Sequence, residues 1–247
     1  MPFTVSHAVV ALPLRRTPLP AGAVAVGAMA PDLRLFVPFA PLYSTTHALA
    51  WLPLTTLIAG ALWLAWRAFV LPAAADLSPS WIAARYAGAA PTPDSSTGTT
   101  TRRLLLTTAA LALGVLTHLV WDAFTHHGRW GVDLVPFLNE RVRYVPLYAW
   151  FQDLSGVLGL LVLAVWFWRR PRREIDPATR RGTAGLRTAT AVAVLVSLAA
   201  GVVTGLVHGG PLWRIAYVGT RTGMVAVVVV ILLSCGVWHA RRIRSTR

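Results

Sequence analysis

Long apolar blocks separated by short polar segments are the dominant pattern along this chain. Five blocks of 15 to 20 residues contain no Asp, Glu or Arg, and they cover residues 48–66, 104–121, 154–168, 188–207 and 222–238. A helix rises 1.5 Å per residue, so about 20 apolar residues cross the roughly 30 Å hydrocarbon core of a bilayer. The shortest block, 154–168, can be extended through Phe151 and Gln152. The pattern therefore predicts five transmembrane helices.

The first 30 residues follow a different pattern. Residues 5–14 are apolar but end at Arg15 and Arg16, and residues 19–30 are apolar but end at Pro31. Neither stretch spans a bilayer alone, so we expect two short helices forming a hairpin packed against the bundle. Ala28 and Ala30 also resemble a signal-peptide cleavage site, an alternative that a proline directly after the cut disfavours.

These elements predict an all-α fold: a polytopic transmembrane helix bundle with about five spanning helices and a short N-terminal helical hairpin. We expect one integral membrane domain over residues 1–247. Within it, residues 87–101 are rich in Pro, Ser, Thr and Gly, a composition that predicts a disordered loop.

Composition supports a membrane protein. Hydrophobic residues make up 55% of the chain and charged residues 13%, about half the share found in soluble domains. The net charge is +14, and every one of the 23 basic residues is Arg. The arginines gather at the ends of apolar blocks, so we expect membrane lipid and no nucleic acid as partner. Cys235 is the only cysteine, which excludes an intrachain disulfide and a cysteine-based zinc site.

Arginine counts orient the helices. Residues 67–103 contain four Arg, residues 169–187 seven, and residues 239–247 four, whereas the two loops on the opposite side, residues 122–153 and 208–221, contain five, at positions 129, 141, 143, 214 and 221. The positive-inside rule then places the C-terminus in the cytoplasm, and the N-terminal hairpin and residues 124–150 at the extracytoplasmic face. Arg15 and Arg16 would be exceptions, lying on that face or partly buried.

The strongest candidate for chemistry is the polar stripe of residues 117–127. His118 and Asp122 are four residues apart and share one helix face, His126 continues the stripe if the helix does, and His127 points the opposite way. Imidazole and carboxylate on consecutive turns can ligate one divalent ion, or the Asp can orient a ligating His. The same pair could instead form an interhelical hydrogen bond that holds the bundle together.

Two candidates near the N-terminus, His7 and Asp32, add to this stripe. Thr4 is a plausible N-cap that puts His7 in the first helical turn. Pro31 biases Ala30 away from helix, so Asp32 would project from a helix exit.

His47 opens the first span. The predicted topology brings five residues to one membrane face: His7, Asp32, His47, Asp122 and His126. Polar groups at membrane depth are costly and usually functional, so this convergence predicts a divalent metal site.

Other polar residues have simpler explanations. Asp153 opens the third span on the same face, where it would support the site or interact with the helix dipole. His208 and His239 are expected to be solvated or interfacial.

Four segments carry a resemblance: MPFTVSHA at 1–8, GAMAPD at 27–32, TH at 46–47 and THLVWDAFTH at 117–126. They resemble an uncharacterised family of bacterial multi-pass membrane proteins, defined as a domain of unknown function. Their order of His and Asp is also similar to inner-membrane metal-dependent hydrolases, grouped with zinc-dependent phospholipase C-like proteins. The resemblance implies a zinc or similar ion held by His7, Asp32, His47, His118 and Asp122. Asp153 stands where that pattern usually has histidine.

Three functions are therefore open. The first is a metal-dependent hydrolase of the bacterial inner membrane, acting at the extracytoplasmic face on a lipid-like or phosphoester substrate. The second is a non-catalytic scaffold or partner-binding protein with structural His and Asp hydrogen bonds. The third, a histidine-ligated haem protein, ranks last because His118 has no evident histidine partner at its depth.

Overall fold

The fold was analysed in a computed structural model, which describes residues 4–37, 39–86, 99–175, 180 and 182–245. Its helices are α1 to α11 in chain order: Ala21–Met29, Leu33–Phe36, Tyr43–Thr46, Leu52–Ala65, Leu71–Leu77, Ser80–Tyr86, Thr100–Thr125, Trp130–Leu134, Leu147–Trp168, Ala184–His208 and Leu212–Ser245. 3₁₀ helices cover Thr4–Ala11, Pro13–Arg16, Ala30–Asp32, Leu49–Trp51 and Pro136–Asn139, and a π-helical turn covers Trp66–Val70. The fold is the predicted all-α polytopic bundle.

Five helices are long and apolar enough to cross a membrane: Leu49–Leu77, Thr100–Thr125, Leu147–Trp168, Ala184–His208 and Leu212–Arg244. The five predicted spans are thus confirmed, and each helix is longer than its uncharged block. The largest extension is in the first span, where the π-helical turn Trp66–Val70 carries Arg67 and the helix continues to Leu77. The predicted disordered loop, 87–101, lies mostly outside the described residues, although Thr100 already begins α7.

Two short strands, β1 (Arg141–Val142) and β2 (Val145–Pro146), form a hairpin between α8 and α9. Its turn residues Arg143 and Tyr144 both have positive φ, 49° and 71°, the combination that a tight type I′ turn requires. The hairpin is the only sheet in the described residues, so it does not change the fold class.

The chain divides into two compact units, and the division falls inside the first span. The N-terminal unit comprises residues 3–63 and 96–168, and the C-terminal unit comprises residues 64–95 and 169–247. The single domain expected from the sequence stays a prediction.

Close contact between α1 and α7 organises the N-terminal unit. A Cβ on Gly27 would collide with the carbonyl group of Leu111, and one on Gly114 would collide with the carbonyl of Val24. The surrounding core is built largely from alanine, with Val24, Leu111, Val115 and Leu119. Lipid removes the hydrophobic driving force between helices, and small residues let two backbones approach closely enough for dispersion contacts.

The N-terminal hairpin forms, but it does not lie entirely at one membrane face. Ser6 packs on Gly159 in the middle of α9, and the Arg15 guanidinium lies 5.2 Å from the ring centroid of Trp166, near the end of that helix. The first arm, Thr4–Ala11, is also a 3₁₀ helix rather than an α-helix. The hairpin is therefore re-entrant, and Arg15 lies beside the end of α9 at which the arginine-rich linker begins.

The C-terminal unit is built around α10 and α11, which pack through facing GxxxG motifs. A Cβ on Gly201 would lie 2.5 Å from the carbonyl oxygen of Gly219, and one on Gly205 would collide with the carbonyl of Ile215. Gly223 completes the second motif. Thr190 donates a hydrogen bond to the Ser234 hydroxyl across the pair at 2.9 Å.

Candidate metal centre

His118 and Asp122 form the centre of a buried polar cluster at the C-terminal end of α7. They lie one turn apart, and His118 Nε2 is 3.4 Å from Asp122 Oδ2. The relative exposures are 0% for His118 and 4% for Asp122, so both groups are removed from solvent and lipid. The shared helix face predicted from their spacing is present.

The tight packing of α1 on α7 fixes the orientation of His118. With no Cβ at Gly27, the end of α1 reaches α7, and the Ala28 carbonyl oxygen lies 2.7 Å from His118 Nδ1. A carbonyl can only accept a hydrogen bond, so the ring hydrogen of His118 is on Nδ1. Its Nε2 therefore turns toward the cluster.

Asp32 reaches the cluster through a continuous helical turn. The expectation that Pro31 moves Ala30 out of helix is wrong: Ala30 has φ −61° and ψ −37°, and Ala30–Asp32 is a 3₁₀ turn that extends α1. Proline is tolerated here because it occupies the first turn of the new element. The tighter turn directs Asp32 inward, where it is 2% exposed and accepts a 2.6 Å hydrogen bond from the Thr4 hydroxyl.

His47 is positioned by the short helix α3. It follows Thr46, whose hydroxyl donates to the Pro31 carbonyl at 2.8 Å and ties the loop to the Asp32 turn. His47 Nδ1 lies 3.0 Å from the carbonyl oxygen of Tyr43, and the Tyr43 ring stacks on the imidazole with centroids 3.6 Å apart. His47 therefore carries its ring hydrogen on Nδ1, as His118 does, and also turns Nε2 inward.

The four residues offer two nitrogen and two oxygen atoms around one point. His47 Nε2 lies 3.2 Å from His118 Nε2 and 3.5 Å from both Asp32 Oδ1 and Asp122 Oδ2. His118 Nε2 is 3.8 Å from Asp32 Oδ1. Tetrahedral ligands at 2.0–2.2 Å from an ion are about 3.4 Å apart, so these spacings match a metal centre. One ligand atom from each residue lies within 4.8 Å of the others, a grouping that could hold a metal ion.

Electrostatics favour a cation at this point. The Nε2 atoms of His47 and His118 lie 3.2 Å apart, a separation at which a positive species, either a proton on one ring or a metal ion, balances the two nitrogens. The two buried carboxylates beside them add negative charge. Buried charges in proteins are paired or coordinate metals, so the two carboxylates require a cation at this point, which a protonated imidazole or a metal ion would supply.

His7 extends the cluster from the N-terminal 3₁₀ helix. With 3.0 residues per turn, Thr4 and His7 fall on the same face of this helix. His7 Nε2 lies 3.7 Å from Asp122 Oδ1, and its ring stacks on His118 at 4.0 Å between centroids. Thr4, expected as an N-cap, is the first residue of the helix and directs its hydroxyl to Asp32.

His126 approaches Asp122 from just beyond α7. The helix ends at Thr125, yet His126 Nδ1 lies 3.5 Å from Asp122 Oδ2. Its Nε2 is 2.5 Å from the Gln152 amide nitrogen, so Gln152 orients the ring. His126 and His7 contact Asp122 but are not among the four residues whose ligand atoms share one point.

The remaining candidates lie elsewhere. His127 is exposed and faces Tyr148, and Asp153 is exposed while its neighbour Gln152 contacts the cluster. His208 is exposed, as expected. His239, expected to be solvated or interfacial, is only part-exposed because it stacks on Phe69 and bonds the Phe69 carbonyl at 2.9 Å.

Three residues of the cluster region lie outside the spanning helices, and their protonation states suit metal binding. Burial alone would raise the pKa of Asp32, but hydrogen bonding to His47, the charge of His118 and the Thr4 hydroxyl lower it below its usual value. Burial, followed by the proximity of His118, lowers the pKa of His7 to about 4. Burial also lowers the pKa of His126. At neutral pH these groups are therefore a carboxylate and neutral imidazoles, the forms that bind metal ions.

The last place given to the haem alternative rested on a wrong premise. His118 does have a buried histidine partner, His47, at 3.2 Å between Nε2 atoms. Two axial imidazoles with bonds of about 2.0 Å to one iron would place these atoms roughly 4 Å apart, with a macrocycle between them. The observed separation is shorter than this, and with two carboxylates beside the imidazoles it matches a single small ion better than a haem iron.

Sequence reasoning missed three residues that contact the cluster. Thr4 and Gln152 are described above, and the Tyr43 hydroxyl lies 3.4 Å from Asp122 Oδ2. Gln152 had a recognisable signal, because an uncharged amide at the start of an apolar span needs a polar partner. Thr4 and Tyr43 had none, since their contacts depend on the 3₁₀ geometry and on the loop before His47.

Comparisons with known proteins give one result. No curated protein and no solved structure matches the chain significantly. A family model described as a domain of unknown function, DUF4184, matches residues 1–240 and so covers the polar cluster, the first four spans and most of the fifth. The chain therefore belongs to the DUF4184 family.

Proposed function

We propose that this protein is a metal-dependent hydrolase of the bacterial inner membrane, with zinc as its ion. The observation that carries the proposal is the convergence of His47, His118, Asp32 and Asp122 on one buried point, with the two imidazole Nε2 atoms 3.2 Å apart. In the proposed site His47, His118 and Asp122 are the ligands, because Asp122 Oδ2 is closer to His118 Nε2 than Asp32 Oδ1 is.

The neighbouring residues support turnover rather than a closed structural site. Catalytic zinc sites keep an open position beside three protein ligands, and zinc bound in this way lowers the pKa of a water ligand to about 7 and polarises an ester or phosphoester. Asp32, the fourth group of the cluster, is the proposed general base, accepting a proton on Oδ1 while Thr4 holds Oδ2 at 2.6 Å. His126 and His7 contact Asp122 and would orient it or extend the ligand set.

The membrane orientation belongs to the same proposal. Arg15 packs beside Trp166, at the end of α9 from which the seven-arginine linker begins, so the re-entrant hairpin no longer opposes the arginine asymmetry. The cluster lies at the other end of α9, next to Gln152. The positive-inside rule then assigns a cytoplasmic C-terminus and an extracytoplasmic site. A cytoplasm-specific reporter should be active after Arg247 and silent at Asn139, and the reverse pattern would contradict this orientation.

Metal content of the detergent-purified protein, measured without added metal, tests the proposal. The expected result is stoichiometric zinc that is removed by a chelator. Complete absence of metal, with a folded protein, would favour the alternative of a non-catalytic scaffold or partner-binding protein whose His and Asp groups are structural hydrogen bonds. Hydrolysis of a phosphoester substrate by the zinc-loaded protein, lost on chelation, is the corresponding test of activity.

A further inference from the structure

A cavity adjoins the polar cluster on the side of His47. Its volume is about 280 Å³, and it is lined by His47, Ala48, Leu49, Leu119, Val120, Gly128, Arg129 and Trp130. All of these residues belong to the N-terminal unit. Because His47 is shared by the cavity and the cluster, a molecule in the cavity would lie directly beside the proposed metal ligands.

The cavity has two chemically different walls. Leu49 and Leu119, with Val120, are apolar residues near the cluster ends of the first two spans. Leu49 is 51% exposed and Val120 is 40% exposed. An exposed side chain on a transmembrane helix contacts lipid, so this wall opens toward the bilayer rather than toward water. It suits an acyl chain.

The lining also includes the Arg129 guanidinium. Arg129 Nη1 donates a long 3.4 Å hydrogen bond to the His47 carbonyl, and its guanidinium carbon lies 5.6 Å from the centre of the Tyr43 ring. These contacts place the guanidinium beside His47 and use one of its five donors. Arginine presents paired donors that match the geometry of phosphate oxygens.

Charge balance gives Arg129 a specific task. Asp32 and Asp122 together neutralise a divalent ion, so the loaded cluster would have no net charge with which to attract an anion. Arg129 adds a positive charge next to the cluster, in a partly desolvated position where it is worth more than in water. Trp130, 49% exposed, lies beside it, as aromatic residues do at the headgroup level.

From this geometry we propose that the cavity binds a phosphate-bearing lipid, with Arg129 holding the headgroup phosphate and Leu49, Leu119 and Val120 contacting the start of an acyl chain. Arg129 is then the residue that determines specificity for an anionic headgroup. This proposal rests on the proposed function, because it names the substrate class of the same site.

Lipid binding to the purified full-length protein tests the proposal. Dioleoyl phosphatidic acid is the probe, dioleoylglycerol carries the same chains without phosphate, and glycerol 3-phosphate carries the phosphate without chains. Native mass spectrometry in detergent, with a chelator present, measures binding without turnover. Phosphatidic acid should bind at least tenfold more tightly than either comparison compound. Equal binding of dioleoylglycerol would overturn the phosphate assignment, and equal binding of glycerol 3-phosphate would overturn the lipid assignment.

Variants locate the binding. Arg129→Gln should weaken phosphatidic acid binding about tenfold, because a charge-assisted pair is lost. Arg129→Lys should lose less, since the charge remains. Arg141→Gln is the matched control, as Arg141 is an exposed arginine of the same extramembrane segment outside the cavity. Unchanged binding in both Arg129 variants, or an equal loss in Arg141→Gln, would contradict the proposal.

Metal content separates the two proposals. If zinc is bound but phosphatidic acid shows no Arg129-dependent binding, the lipid proposal fails and the metal centre stands. If Arg129-dependent binding is present and no metal is found, the hydrolase proposal fails. A wild-type thermal unfolding transition identifies a folded Arg129→Gln protein whether or not metal is found. Val120→Trp, which narrows the cavity and leaves Arg129 in place, should also weaken phosphatidic acid binding, and unchanged binding in this variant would contradict the cavity as the lipid site.

Discussion

The contact of α1 with α7 and the contact of α10 with α11 both depend on glycines, but the two contacts bring different side chains together. In both pairs glycines replace side chains so that two backbones touch, at Gly27 and Gly114 in the first pair and through facing GxxxG motifs in the second. The first contact carries the Ala28 carbonyl to His118 and the Asp32 turn to Asp122. In the second pair the described side chains that meet in a hydrogen bond are neutral, Thr190 and Ser234.

This difference shows why small residues alone do not identify a functional region. Close backbone approach is the general solution to helix association in lipid, where apolar side chains gain little by leaving the acyl chains. What distinguishes the N-terminal unit is the set of ionisable groups that its glycine contact brings together. Such groups are expensive at membrane depth and persist where they serve a site.

The largest expected effect tests whether the cluster binds metal. His118→Ala removes an imidazole whose Nε2 faces three ligand atoms of the cluster, and Asp122→Ala removes the carboxylate that five polar side chains approach. Each should reduce zinc content per folded protein by about 10–100-fold or more, since even loss of an orienting group has that effect. Elemental analysis of the purified variants measures it.

His239→Ala is the control for both variants. His239 belongs to the C-terminal unit, where it stacks on Phe69 and bonds the Phe69 carbonyl, so its loss should leave zinc unchanged. Wild-type zinc content in folded His118→Ala or Asp122→Ala would show that the His and Asp groups are structural.

The next effect separates the two glycine contacts. Gly114→Val forces a side chain into the Val24 carbonyl, and Gly205→Val forces one into the Ile215 carbonyl. Overpacking of this kind costs about 1–3 kcal/mol, so both variants should unfold at lower temperature. Only Gly114→Val should also lose zinc, because a displaced α1 moves Ala28 and Asp32 away from His118. Equal zinc loss in both variants would mean that metal binding reports overall stability rather than local geometry.

Much of the fold follows from the sequence because lipid imposes simple rules. Uncharged blocks of sufficient length identified all five spans, and the end of the first arm at Arg15 and Arg16 indicated a hairpin. Boundaries were less accurate because a membrane helix can continue beyond its uncharged block, as the first span does past Arg67. The path of the hairpin along α9 was not predictable from the pattern, because it depends on Ser6 meeting Gly159, a contact between distant segments.

The candidate site was also predictable in part. His118 and Asp122 share a face by helix periodicity, and topology alone brought His7, Asp32 and His47 to the same end. The supporting contacts were not predictable: Thr4 reaches Asp32 because the first arm is 3₁₀, and Pro31 begins a turn instead of ending the helix. Local propensity decides such details only when no tertiary contact competes with it.

A smaller effect concerns the support of Asp32. Thr4→Val keeps the shape of the side chain but removes the 2.6 Å hydrogen bond to Oδ2. Asp32 is not one of the three proposed ligands, but its charge helps to neutralise the ion; a hydrogen bond that holds it contributes about 1 kcal/mol, so zinc affinity should fall by at most about fivefold, far less than in Asp122→Ala. Competition with a chelator of known affinity measures the change, and Thr4→Ser, which retains the hydroxyl, should restore most of it. Zinc affinity unchanged in Thr4→Val would show that the hydroxyl does not position Asp32.

The smallest expected effect comes from Thr190 in the C-terminal unit, which corresponds to Thr4 in the N-terminal unit. Thr190→Val removes the 2.9 Å hydrogen bond to Ser234, a buried contact of the same kind as that between Thr4 and Asp32 but between two neutral groups. Hydrogen bonds between membrane helices average about 0.6 kcal/mol, so thermal stability should fall slightly and zinc affinity should not change. The two valine variants thus form a matched pair, because both delete one threonine hydroxyl from a buried position. A zinc deficit in Thr190→Val equal to that in Thr4→Val would remove the distinction between a unit that holds the metal and a unit that packs helices.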